Sequence, residues 1–130
     1  MTKKQWLTFL DNLVHDKTRD IIGVQAKGQR FHFVPLKNAH DLRLDHDVTL
    51  LPPKKFLLPT HEELLRFDIS KPFDVNVPPP SRPQILIGLH PYDVIAVQQM
   101  DALYLSPPVD DFYETRRRNT LIIASDILEI

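Results

Sequence analysis

The chain has 130 residues, with 16 basic and 17 acidic side chains and a formal charge of −1. That length fits one domain with a core of its own, and the near-neutral balance excludes the basic field that nucleic-acid binding requires. There is no cysteine, so this chain builds no disulfide, thiolate zinc site, thiolate-held iron–sulfur cluster or cysteine nucleophile. No apolar stretch approaches the roughly 20 residues of a membrane span. The N-terminal segment carries Asp11 and Asn12 and lacks the apolar block and cleavage site of a secretion signal. The expectation is a cytoplasmic protein with no membrane insertion.

Thr2 and Gln5 form a capping box. Trp6, Phe9, Leu10, Leu13 and Val14 follow at i, i+3, i+4, i+7 and i+8, which predicts an amphipathic helix to about His15, packed on a sheet. Asp20–Ala26 and Arg30–Pro35 read as strands. Lys27-Gly28-Gln29 joins them as a hairpin, with Gly28 free to take positive φ. Phe31 and Phe33 share one face and read as core. The segment from Asn38 to Asp47 holds His40, Asp41, Asp45, His46 and Asp47, but their spacing matches no metal pattern. Leu42 and Leu44 alternate, so the reading there is a solvated loop and edge strand.

Twelve prolines against three glycines predict stiff, extended connections. Leu50–Pro59 is one, a tether across the core; Lys54, Lys55 and Phe56 within it offer a second use, as a partner surface. Thr60 and Glu63 repeat the capping-box spacing and predict a short helix carrying Leu64, Leu65 and Phe67. Phe73–Val77 alternates as a half-buried strand, and Pro78-Pro79-Pro80-Ser81-Arg82-Pro83 reads as a polyproline spacer.

The stretch from Gln84 to Asp126 organises the rest. Gln84–Leu89 and Thr120–Ser125 are apolar runs of the kind that is buried on both faces in parallel sheets. Between them, Ala96, Val97, Met100, Leu103 and Tyr104 fall on one helical face. Asp110 or Asp111 can cap a further short helix, which Arg116, Arg117 and Arg118 close. Those cations oppose the negative end of the helix dipole; an anion or acidic-partner site is the sharper reading of the same residues. The whole predicts an α/β fold with a mixed sheet: a parallel βαβ C-terminal half, a β-hairpin in the N-terminal half, and helices on both faces. One domain spans residues 1–130, in three parts: 1–50, 51–83 and 84–130. Ligands of such sheets sit where strands end, which picks out His90, Tyr92, Asp93, Ser125 and Asp126. No phosphate-binding loop, dinucleotide fingerprint or nucleophile elbow accompanies them. His90 and Asp93 as an acid–base pair of a hydrolase or lyase is the weakest reading.

Several of these motifs resemble one family as a set. Pro52–Pro59, followed by Glu62, Glu63 and Leu64-Leu65-Arg66-Phe67, is similar to a segment of the iron–sulfur subunits that include the beta subunit of sulfhydrogenase and the A subunit of anaerobic sulfite reductase. Gly88-Leu89-His90-Pro91-Tyr92-Asp93 resembles that family's G-[VL]-[RH]-P-C-D turn, with Ala96 and Asp101 placed as in its following helix. Tyr92 stands where the family pattern has cysteine. Asp111-Phe112-Tyr113 and Arg116–Ile123 resemble its D-x-Y and R-R-x-N-T-L-I-I segments. The resemblance implies a non-catalytic scaffold domain of an electron-transfer subunit. It implies [4Fe–4S] clusters in a cysteine-rich part downstream, FAD and NAD(P)H in a partner subunit, and redox subunits as partners. This chain itself holds none of those cofactors. It is expected to be either the N-terminal domain of a longer protein or a shortened relative, and self-association is a further expectation. The alternative is a nucleotide- or anion-binding α/β domain using the turn at 90–93.

Overall fold

The N-terminal capping box forms as its spacing predicts. In the computed structural model, which describes residues 2–76 and 81–126, Gln5 N–H donates to Thr2 Oγ1 at 3.3 Å and Thr2 N–H donates to Gln5 Oε1 at 2.8 Å. They open α1 (Lys3–His15). The hairpin follows as β1 (Asp20–Lys27) and β2 (Arg30–Pro35), with Gly28 at φ +63° in the two-residue turn. A second antiparallel pair, β3 (Arg66–Asp68) and β4 (Lys71–Asn76), stands apart from the main sheet. Then come β5 (Gln84–Leu89), α2 (Pro91–Tyr104), α3 (Asp111–Arg118) and β6 (Thr120–Ala124).

The main sheet is mixed, in the order β2-β1-β5-β6. β1 pairs antiparallel with β2 and parallel with β5; β5 pairs parallel with β6 across the α2–α3 crossover. Alternation along the strands divides the core. Ile21, Ile85 and Ile87 pack with Leu10, Trp6, Leu13 and Val14 of α1. Ile22, Val24, Leu86 and Phe33 point to the other face, where Val94 of α2 packs. Leu57, Val97 and Tyr113 extend that second layer, with Ile122 bridging both parts. Each such side chain, taken fully out of water, contributes about 1.5–3 kcal/mol. Helices therefore lie on both faces, as the apolar patterns imply.

The structure corrects several local readings. β6 is not buried on both faces: β1 takes the place beside β5, β6 becomes an edge, and Leu121 is exposed. No helix follows Thr60. Glu63 pairs with Arg66 and Glu62 with Arg116, so neither carboxylate is at a helix N-terminus. Leu64, Leu65 and Phe67 are more than half exposed, and without a face to bury, the short helix has no tertiary support. The tether is not extended throughout. Pro53–Phe56 is a 3-10 turn that starts on proline, and Pro53 and Leu57 are buried beneath it. Residues 39–41 form another 3-10 turn, and the segment after it is extended without being a strand. The strand read over Phe73–Val77 appears as β4 up to Asn76; Val77 and the polyproline reading at Pro78–Pro80 lie outside the described residues.

Candidate functional site

The junction of β5 and α2 is built by a glycine. Gly88 has φ +89°, and the register against β6 shifts between Ile87 and Leu89. One extra residue in β5 is a bulge, which re-aims the side chains after it. Leu89 consequently joins Leu86 on the second face instead of following Ile85 and Ile87. A Cβ at Gly88 would lie 3.1 Å from Leu44 Cδ2 and 3.8 Å from His46 Cε1. The missing side chain thus makes room for the 42–46 segment, which Arg43 N–H ties to the Val24 carbonyl at 2.8 Å.

His90 is fully buried at the head of α2, with Pro91 in the first helical position. Asp93 lies one turn in, 6% exposed, and accepts from His90 N–H at 3.4 Å. Burial pushes its carboxyl above the usual range, while the His90 N–H, the charge of His90 and Lys54 act in the opposite direction. The Tyr92 hydroxyl donates to the Asp47 carbonyl at 2.8 Å and lies 3.1 Å from His90 Nδ1. The other ring nitrogen of His90, Nε2, is buried without a partner among the described residues. Burial, with Asp93 and Asp47, raises the Tyr92 hydroxyl above its ordinary value.

Stacked on His90 is His46, with ring centroids 4.2 Å apart and planes 13° from parallel. His46 is 4% exposed, and neither of its ring nitrogens has a partner among the described residues. Phe33 meets it edge-on at 6.2 Å and Phe31 lies 5.9 Å away. Burial, and then the charge of His90, lowers its pKa. Residues read as a solvated loop therefore include a core histidine. The local signal was period two: Leu42, Leu44 and His46 alternate toward the protein, while Arg43 and Asp45 point out and pair at 2.6–2.8 Å. Arg43 holds the Asp45 carboxyl down to about 2.

The structure brings His90, Tyr92 and Asp93 into one turn. Ser125 lies beside it, its N–H donating to the Leu89 carbonyl at 2.9 Å and its Oγ buried without a partner among the described residues. Asp126 follows and is exposed. Among the described residues no three metal-ligating side chains converge, and stacked parallel rings do not aim two lone pairs at one point. The contacts of the cluster hold residues 42–50 on the turn, through the His46–His90 stack and the Tyr92–Asp47 bond.

The three arginines are engaged internally. Arg116 is buried, donates to the Leu57 carbonyl at 2.6 Å and pairs with Glu62. Burial lowers its pKa. Arg117 binds Asp101 at 3.0–3.1 Å, and Asp101 also accepts from the buried Tyr113 hydroxyl at 2.8 Å. Arg118 pairs with Glu114 on the surface. Asp110, not Asp111, caps α3, accepting from Tyr113 N–H at 2.9 Å.

Lys54 is exposed, while Lys55 and Phe56 are half-buried, Phe56 also packing on the second core layer. They border an open groove of about 660 Å³ with Leu51, Leu58 and Leu103. Leu103 is 69% exposed, so it leaves the core-facing stripe of α2 to which its spacing assigned it.

Comparison with known proteins gives one informative likeness. The chain is 28% identical over 103 residues to sulfhydrogenase 2 subunit beta of Pyrococcus furiosus. The match takes in 79% of this chain and 30% of that protein, so the chain spans less than a third of its relative. No protein-family model matches the chain, and no solved structure is detectably similar. No helix among the described residues is long and apolar enough to cross a membrane.

Proposed function

We propose that this chain is a non-catalytic scaffold and docking domain of an electron-transfer subunit in a hydrogenase-like oxidoreductase. The observation that carries the reading is the likeness to a sulfhydrogenase beta subunit over 79% of the chain. The turn, with His90 and Asp93 buried and Tyr92 half exposed, supports it. His90, Tyr92 and Asp93 are held by packing and by one another, as suits a rigid framework. The same reading assigns iron–sulfur clusters to other residues of the assembly. With no cysteine, this chain's own residues do not fit a [4Fe–4S] cluster, and no electron is routed through them. Redox subunits, one of them a flavoprotein oxidising NAD(P)H, are the partners this reading names.

The test is native capture of the tagged protein from its source cells, with partners identified by mass and iron measured. Recovery with an identified redox subunit, and with iron in the assembly but not in the isolated chain, is the expected result. Stoichiometric iron and a visible absorption band on the isolated chain would overturn it, as would recovery of the chain alone.

A further inference from the structure

We infer that the groove between the 51–60 tether and the end of α2 is a docking site for an acidic amphipathic helix of a partner protein. Its floor is Phe56, Met100 and Tyr104, and its rim carries Leu51, Leu58 and Leu103. These rim leucines are 53%, 40% and 69% exposed. An apolar cleft of about 660 Å³ is the size of a recognition pocket, and an open one takes the face of a helix through anchors at i, i+3, i+4 and i+7.

Charge decides the kind of helix. The nearby acids are already neutralised by arginines: Glu62 by Arg116, Glu63 by Arg66, and Asp101 by Arg117. The groove's own cations are not. Lys54 and Lys55 have no carboxylate within 4 Å among the described residues, and Lys55 Nζ rests 5.0 Å over the Phe56 ring. Lys54 is felt at the buried Asp93, but neither lysine is held in an ion pair, so the rim is positive. It attracts a segment with leucine-like anchors flanked by Glu or Asp and repels the basic counterpart. A second copy of this chain is a poorer fit, since the rim lysines of two copies would meet across a self-complementary contact. The groove gives the docking role proposed above a location, yet its shape and charge recommend it independently of that role.

The experiment uses the purified full chain and two dye-labelled helical peptides of about four turns. They carry the same leucine stripe, flanked by Glu in one and by Lys in the other. Fluorescence anisotropy is expected to show saturable binding of the acidic peptide, at least tenfold tighter than the basic one. Leu103→Asp is expected to weaken the acidic peptide tenfold or more. The double variant Lys54→Glu/Lys55→Glu is expected to reverse the preference. All three positions are on the surface, and unchanged melting confirms that the variants fold. Three outcomes would overturn the inference: equal or absent binding of the two peptides, binding indifferent to Leu103→Asp, or a dimer in sedimentation that Leu103→Asp abolishes. None of these depends on whether native capture recovers a redox subunit.

Discussion

Gly88→Ala is the sharpest test of how the turn is built. Two costs are legible. Alanine must adopt φ +89°, which at about 1–3 kcal/mol is expensive for any residue with a Cβ. Its Cβ must also press on Leu44 Cδ2 from 3.1 Å. Leu44 can yield only by leaving its rotamer, at about 0.5–1.5 kcal/mol. The sum is about 1.5–4.5 kcal/mol. For a chain of 130 residues, each kcal/mol moves Tm by about 4 °C, so the expected fall is about 6–18 °C. Gly28→Ala is the matched control. Gly28 also has positive φ, +63°, but nothing lies within 4 Å of its added Cβ. It incurs only the left-handed backbone cost, about 1–2 kcal/mol, or about 4–8 °C. Melting of both variants by circular dichroism gives the comparison. Imidazole proton shifts of His46 and His90 by NMR show whether the stack has moved. If Gly88→Ala falls no further than Gly28→Ala, with the imidazole shifts unchanged, the bulge does not hold the 42–46 segment and the reasoning fails.

Three further perturbations address the same framework. His46 has a depressed pKa in the folded state. Its contribution is present above the unfolded value near 6.5 and is lost as pH falls from there through the folded value, by up to about 1.4 kcal/mol per pH unit. Asp93, whose pKa is raised, acts in the opposite sense, its contribution present below about 3.8 and lost as pH rises through its folded value. Urea unfolding across pH 4.5–7.5 is expected to show stability falling with acid, and His46→Phe to flatten that slope; an unaltered slope would refute the assignment. Arg116→Met should lower stability by about 2–3 kcal/mol, because the Leu57 carbonyl loses a charged donor in a buried setting; chemical denaturation with a change below about 0.5 kcal/mol would contradict it. Tyr92→Phe should cost about 1 kcal/mol through the lost bond to the Asp47 carbonyl. It should also speed amide exchange in residues 47–50, whereas unchanged protection there would show that the loop is held by other contacts.

The secondary structure was legible wherever a local rule coincided with tertiary need. The Thr2–Gln5 box heads a helix whose apolar stripe meets Ile21, Ile85 and Ile87. The Thr60–Glu63 box has the same spacing but no sheet beneath its leucines, and arginines take its acids. Capping chemistry is worth about 0.5–2 kcal/mol, too little to hold a short helix whose apolar face stays wet. The mixed sheet, the hairpin and the crossover followed from apolar pattern and turn residues. Strand order did not, because Gln84–Leu89 and Thr120–Ala124 read alike, and their difference lies in which has β1 on its far side.

The turn shows a finer version of the same limit. His90, Tyr92 and Asp93 were visible as a strand-end cluster because they are adjacent in the chain. His46 was not, since its stacking partner lies 44 positions away and histidine amid acids reads as solvent-facing. Two traces of it were nonetheless present. One is the period-two continuation from Leu42 through Leu44. The other is Gly88, whose missing side chain answers to Leu44 in space. A single glycine at the end of an apolar strand marks a place where something must approach closely. Here that neighbour is the 42–46 segment, whose His46 covers the buried His90 while Tyr92 stays 45% exposed. Beside the turn lies the tether, where Lys54 both lines the groove and partly offsets the burial-driven rise in the pKa of Asp93. An acidic occupant drawing Lys54 outward would relax that influence, so the groove and the turn share one charge.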